Sequence, residues 1–326
     1  MIRLFACQGL IFWIMKPKYK ASTEDSSANT KPNYVVETWD RPQPTQKQRA
    51  ARKVFRGGCL VFLAMLVFVM FISFIYLLVP FRTNLLVLGI DRVPDGSALG
   101  RSDTNILVTV KPLAAYIGLL SIPRDLWVTI PGVGENRINT AHFFAEGQLP
   151  GSGPAAALET IQHNFGVPVK YYLRVKFDGI VGIVDALGGI DIELDSPMAG
   201  LPAGDHHLSG EQALVFVRDR QGSDDFFRMQ QAQFFIAQLI EQIIKPESWP
   251  RIPAVMVALN DSVDTNLPVW VWPRLGFALL RAGPGGIDSH ILNRDYVNSN
   301  VTSEGAQVLI PQWSLINPLI NEIFSD

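Results

Sequence analysis

Cysteine is almost missing from this sequence. Of 326 residues only Cys7 and Cys59 are cysteines, so nothing beyond residue 59 can close an internal disulfide, and thiol nucleophiles and thiolate metal sites are excluded there. Histidine is nearly as sparse. His142, His163, His206, His207 and His290 keep no metal-ligand spacing, and the adjacent His206 and His207 point apart on most elements. Neither a Gly-x-Ser-x-Gly elbow nor a Gly-x-x-x-x-Gly-Lys loop occurs, which removes the chemistries those motifs carry. Net charge is only -2, and 48% of the residues are hydrophobic, which excludes a disordered polar chain and a wholly basic nucleic-acid binder.

Charge itself is absent from residues 57–81. Within that gap, residues 59–79 (CLVFLAMLVFVMFISFIYLLV) are interrupted only by Ser73 and the interfacial Tyr76. Such a run reaches about 31 Å as a helix, against a hydrocarbon core of about 30 Å. A buried core helix normally keeps a polar stripe, and a cleaved signal is shorter and nearer the start, so a single transmembrane helix over 57–80 is expected. Lys47, Arg49, Arg52, Lys53 and Arg56 precede it and Arg82 alone follows closely, which places the amino terminus in the cytoplasm and residues 81–326 outside the plasma membrane.

The two flanks differ in composition. Residues 1–56 hold 11 Lys and Arg against 4 Asp and Glu, lack an apolar period beyond residue 15, and read as a disordered basic tail. Residues 1–15 are apolar but too short to span; they are either an interfacial segment or lie upstream of a start at Met15. The tail has no readable DNA-binding helix, and topology and anionic lipid account for its charge, so a nucleic-acid partner is not expected.

Residues 81–326 alternate between strands and helices. Residues 84–90 (NLLVLGI), 104–110 (TNILVTV) and 115–121 (AYIGLLS) predict strands buried on both faces. A helix over 155–165 ends at Gly166 and Pro168, a strand follows at 171–175, and Asp178 is the expected cap of a helix ending at Gly188 and Gly189. After a strand at 190–194, Ser209 and Gln212 form a capping-box pattern for a helix through Val217, and 226–244 reads as a longer helix. Further on come a helix near 270–280, a short run at 287–292, a strand at 307–310 and an end helix from Pro311. The fold class is α/β, a central mixed sheet flanked by helices. Phe143, Phe144, Phe165, Phe177 and Phe234 are candidates for a lipid groove, with core packing the favoured role of each.

Candidate chemistry gathers at strand ends. Asp91 follows the first strand and Asp103 precedes the second; two such carboxylates suit Mg²⁺, which takes oxygen ligands and shares them with substrate phosphate. Turn capping is their alternative role. Arg124 follows the third strand, and Arg92, Arg101, Arg218, Arg220 and Arg228 accompany it. Guanidinium forks suit a pyrophosphate and the charge that builds on a leaving phosphate; surface ion pairing with residues such as Asp125 and Asp219 is the alternative.

NLLVLGID (84–91), GRSDT (100–104), SIPRD (121–125), RINTA (137–141), VDALGGI (184–190), HLSGEQALVFVRDR (207–220) and DFFRMQ (225–230) follow one another in the order and spacing of the LytR-CpsA-Psr family, which this sequence resembles most clearly over about 84–245. The resemblance implies a single-pass membrane protein whose extracellular domain moves a glycan with its phosphate from a polyprenyl-pyrophosphate carrier to a cell-wall acceptor such as peptidoglycan. It further implies that Asp91 and Asp103 hold Mg²⁺, that Arg101 and Arg124 contact the pyrophosphate, with Arg92 a weaker candidate, and that Arg218, Arg220 and Arg228 complete its neutralisation. Asp103 is the candidate base for the acceptor hydroxyl. The same residues would serve a hydrolase of the lipid-linked glycan, and a non-catalytic envelope regulator is a third class. One departure stands out: the family carries a second arginine three residues after the one matched by Arg228, so either Gln231 takes its place here or the register slips by one residue, and Phe226 and Phe227 stand where the family often has smaller residues.

Overall fold

The computed structural model describes residues 46–78, 82–90, 100–219 and 224–325, with the side chains of residues 46–59, 77, 78, 177 and 178 left aside. The chain divides into two units, Met1–Phe68 and Val69–Asp326. Helix α1 (Gln46–Leu78) contains most of the charge-free run. Among the described residues no helix is long and apolar enough to cross a membrane. Cys59 and residues 77–79, the ends of the run expected to span, lie outside the described side chains. The large apolar side chains from Leu60 to Ile75 are all exposed.

The second unit is built from β1 (Thr83–Ile90), β2 (Ser102–Lys111), β3 (Tyr116–Ile122), β4 (Trp127–Ile130), β5 (Gly134–Arg137), α2 (Thr140–Gln148), α3 (Gly153–Phe165), β6 (Tyr171–Lys176), α4 (Phe177–Leu187), β7 (Ile190–Leu194), β8 (Gly204–Leu208), α5 (Gly210–Arg218), α6 (Asp225–Ile244), α7 (Ile252–Ser262), β9 (Val263–Thr265), α8 (Trp272–Ala282), β10 (Ile287–Ile291), β11 (Val297–Val301), β12 (Gln307–Pro311) and α9 (Trp313–Phe324). Six strands form the central sheet in the order β10-β3-β2-β1-β6-β9. The β1–β6 and β3–β10 pairs are parallel and the rest antiparallel, so the sheet is mixed.

The three apolar strand runs form because alternate side chains pack on opposite faces. Leu86, Leu88, Leu107, Leu120 and Ile122 meet Ile161 and Phe165 of α3 and Ile316 and Ile323 of α9. On the other face Leu85, Ile106, Val108, Ile117 and Leu119 meet Leu275 and Ala278 of α8. Gly118 lets α9 approach directly, since a Cβ there would lie 2.5 Å from Ile323. Phe165 packs edge-on against Trp313 and Phe143 edge-on against Phe144, while Phe234 lies tilted against Phe216.

Most predicted elements stand, including the Ser209–Gln212 capping box and the left-handed Gly188 that stops α4. One difference has a physical cause: Lys176, not Asp178, caps α4, because the helix starts directly from β6. The last third joins the central layer, where β9 and β10 form both edges of the sheet, held by pairing and not by their own short sequences.

Candidate active site

The site assembles where β1, β3 and β10 end and β2 begins. Across β1 and β2, Gly89 pairs with Thr104 but Ile90 pairs with Ser102, so Asp103 is an extra residue in the ladder. Such a bulge bends the strand and re-aims a side chain, a common device beside active sites. Asp103 is thereby turned toward Arg124, two residues past the end of β3. The Arg124 Nη1 donates to Asp103 Oδ1 at 2.9 Å.

Arg124 is the hub of the cluster. Its Nε and Nη2 lie 3.2 and 3.1 Å from the two oxygens of Asp225, a forked pairing, and its Nε lies 3.5 Å from Asp125. Asp225 occupies the first turn of α6 and also pairs with Arg228, one turn on, at 2.9 Å. Asp224 caps that helix by accepting from the Phe227 N–H at 2.9 Å. Asp125 meets Arg137 at 3.3 Å, while Arg137 Nη2 donates to the Gln307 carbonyl at 2.6 Å and the Leu309 N–H donates to the Asp125 carbonyl at 3.0 Å. Strand β12 therefore braces the site, a role for the last third that the sequence did not disclose.

Three carboxylates thus face three guanidinium groups. Burial works against the Arg124 charge, but the hydrogen bond to Asp103 and the charges of Asp225 and Asp125 outweigh it and raise its pKa. Burial, reinforced by the hydrogen bond that the protonated Asp125 donates to Asp225 and by the Asp225 charge, lifts the Asp125 carboxyl above its ordinary value despite Arg124 and Arg137. A fixed cation at a carboxylate-lined strand edge can bind a phosphate oxygen by releasing one of its carboxylates.

Of the expected site residues, the structure brings Asp103, Arg124 and Arg228 together. Arg101 lies on the approach, its Cζ 5.8 Å from the Phe143 ring centroid in a cation–π contact. Arg218 closes α5, half-buried. Asp91, Arg92 and Arg220 lie outside the described residues. Asp125, Asp225 and Arg137 were not among the candidates, although each stands inside a quoted motif, SIPRD, DFFRMQ or RINTA. Gln231 is 1% exposed and donates inward to the Phe216 carbonyl, so that position packs α5 against α6. Among the described residues no group of three or more His, Cys, Asp or Glu could hold a metal ion. An open cleft of about 950 Å³ beside α6 is lined by Met198, Leu201, Asp219, Asp224, Phe227 and Arg294.

A second polar cluster supports the start of β2. His142, fully buried in α2, lies 3.0 Å through Nδ1 from the carbonyl of Gly100, the residue before Arg101. Its Nε2 lies 3.3 Å from Arg174 Nη1. The arrangement fits a neutral imidazole with its proton on Nδ1, and burial holds the His142 pKa below its ordinary value. The unfolded chain therefore binds a proton near pH 6.5 that the folded chain refuses, and stability falls as pH drops below about 6.5 toward the folded value. His142→Gln is expected to flatten the melting temperature profile as pH falls below about 6.5; an unchanged slope would show that another group titrates there.

The LytR_cpsA_psr family matches residues 81–322. The polyisoprenyl-teichoic acid–peptidoglycan teichoic acid transferase TagU of Enterococcus faecalis is 29% identical over 192 residues, covering 56% of this chain and 61% of that protein. The TagU of Oceanobacillus iheyensis is 32% identical over 191 residues, covering 56% and 58%. The chain thus spans about 60% of the length of the curated relatives it matches. Among solved structures, TagT bound to LIIa-WTA superposes with a TM-score of 0.59 at 24% identity, covering 74% of this chain and 89% of TagT, and Bacillus subtilis TagV with 0.62 at 22% identity, covering 76% and 98%. At those identities the superpositions establish the fold. With the family match extending from β1 into α9, and the bulged Asp103 and the Arg124 hub inside it, this chain belongs to the LytR-CpsA-Psr family.

Proposed function

We propose that this protein is a membrane-anchored phosphotransferase that moves a glycan with its phosphate from a polyprenyl-pyrophosphate carrier to a cell-wall acceptor such as peptidoglycan. The observation that carries the reading is the Arg124 hub, a permanently charged fork at the strand edge beside a bulge-directed carboxylate. The relatives' names, which specify a polyisoprenyl-linked teichoic acid and peptidoglycan, support the substrate class. The exposed apolar side chains from Leu60 to Ile75 support the anchor, with the amino terminus cytoplasmic and the catalytic domain outside.

In this reading the acceptor hydroxyl attacks the sugar-proximal phosphorus, and polyprenyl phosphate leaves with the electrons of the broken P–O bond. Arg124 and Arg101 orient the pyrophosphate, and Arg218, Arg220 and Arg228 with Arg92 offset its charge. Asp103 with Asp91 would hold a Mg²⁺ ion, a role that needs only one or two protein carboxylates, and the ion would supply charge stabilisation to phosphate oxygens. The Arg124 fork itself can turn an N–H from a carboxylate to a phosphate oxygen. Asp103 also stands as the candidate base for the acceptor hydroxyl proton. The cleft beside Phe227 is of a size that accepts part of a glycan.

The cation assignment is tested with Asp103→Asn in the full chain, assayed on a lipid-linked glycan while Mg²⁺ is titrated. The Mg²⁺ concentration giving half-maximal rate should rise by about 10-fold or more. A lower rate with an unchanged Mg²⁺ requirement would remove Asp103 from the cation site.

A further inference from the structure

We propose that the segment Val269–Trp270, with the outward side of α8, is a lipid-contacting footing that seats the catalytic domain on the bilayer surface; the proposal rests on the membrane-anchored reading. The sheet topology locates it. The apolar helix precedes β1, so the edge where β1 begins is the one the anchor leads into along the chain, and the site edge lies the length of β1 away, about 26 Å at 3.3 Å per residue. Strand β9 runs antiparallel to β6, which runs parallel to β1. Its end, and the residues after it, therefore emerge at the anchor edge.

The side chains there are those that water disfavours. Val269 is 80% exposed, Trp270 69% and Leu280, on α8, 51%, whereas Val271, Leu275 and Ala278 are buried against the sheet. Helix α8 is thus apolar toward the core and also carries Leu280 outward, beside the exposed Val269 and Trp270 that precede it. Gly286, just after it, packs on the Ala115 carbonyl in the β2–β3 turn, which belongs to the same edge. The Tyr76 hydroxyl, on the last described turn of α1, donates to the Trp270 carbonyl at 2.9 Å. Within the second unit, the exposed patch therefore adjoins the last described turn of the apolar helix. The cations Arg82, Lys111 and Arg281 belong to this end of the unit, Arg82 and Lys111 joined to the carbonyls of Phe324 and Ser325.

This chemistry identifies the occupant as an anionic bilayer interface. Tryptophan is favoured at the headgroup level, and an amphipathic helix with a basic residue binds in that plane. A footing would hold the Arg124 cluster at a constant height above the membrane.

The test uses the full chain carrying Cys7→Ser and Cys59→Ser, in vesicles of phosphatidylcholine and phosphatidylglycerol, with a nitroxide on Val269→Cys, Ile72→Cys or Val301→Cys. Collision rates with oxygen, which partitions into lipid, are compared with those of a water-soluble nickel chelate. The label at 269 is expected to favour oxygen over nickel, as at 72, while that at 301 favours nickel. In brominated vesicles Trp270→Phe should remove part of the fluorescence quenching. Nickel accessibility at 269 equal to that at 301, with 72 lipid-exposed, overturns the footing alone. Low rates with both probes at 269 would reveal a protein partner and overturn it too. Nickel accessibility at 72 would overturn the anchored reading and the footing with it.

Discussion

Arg124→Ala in the full chain is expected to lower the rate of glycan-phosphate transfer by about 10²–10³-fold, the usual cost of removing one preorganised donor from developing charge, with a small change in melting temperature. The geometry separates the two effects. Arg124 is partly solvent-exposed, with 27% side-chain accessibility, and ion pairs at such positions contribute about 0–1 kcal/mol. Asp225 keeps Arg228 and Asp125 keeps Arg137 after the substitution. Asp103, by contrast, loses the guanidinium toward which the bulge directs it. Arg124→Lys keeps the charge but cannot reproduce the fork on Asp225 while reaching Asp103, so it should recover only part of the rate. The measurement is initial transfer rate beside a thermal melt of each variant. A large fall in melting temperature with a proportionate loss of activity would mean that Arg124 is an architectural ion pair.

The reverse pattern is expected for Glu146→Ala, which should destabilise the fold by about 3 kcal/mol and lower the melting temperature by about 6–12 °C. Glu146 is 4% exposed in α2, and its carboxylate accepts from Gly151 N–H at 2.8 Å and Gly153 N–H at 2.9 Å. Gly153 opens α3, whose cap residue Ser152 makes no side-chain capping bond, so Glu146 satisfies orphan donors at that helix end from the preceding helix. It also lies 3.4 Å from Arg174, which keeps Asp264 at 2.7 Å when Glu146 is lost. Burial works against the Glu146 charge, but the two backbone bonds and Arg174 hold its pKa below the ordinary value. Its contribution is therefore complete above the unfolded value, about pH 4.3, and lost as pH falls through the folded value. Glu146→Gln, which keeps one acceptor oxygen, should cost less; equal costs for both variants would remove the charge from the explanation.

What the sequence disclosed follows from where each element finds its stabilisation. The runs 84–90, 104–110 and 115–121 were legible because both faces of the sheet are covered, so their apolar residues are continuous. The capping box at Ser209 was legible because its partners are three residues apart. Helix α2 was not, since it buries Thr140, His142 and Glu146 and so lacks an apolar stripe. Strands β5, β9 and β11 (GENR, VDT, VNSNV) have too few apolar residues to mark themselves and depend on partners elsewhere in the chain. At the site, family motifs pointed to Asp103, Arg124 and Arg228, and although Asp225 opens one of those motifs, nothing tied it to the arginine it grips 101 residues away. Pairing over that distance leaves no local pattern.

The most direct test of the phosphotransferase reading follows radiolabel from a polyprenyl-pyrophosphate-linked glycan, with the full chain, Mg²⁺ and peptidoglycan present and Arg124→Ala alongside. The account predicts label joined to peptidoglycan through a phosphodiester, with polyprenyl phosphate released in equal amount, and little of either with the variant. Release of soluble glycan phosphate with none joined to peptidoglycan would identify a hydrolase, and absence of turnover despite lipid binding would identify a binding protein; either result would contradict the account.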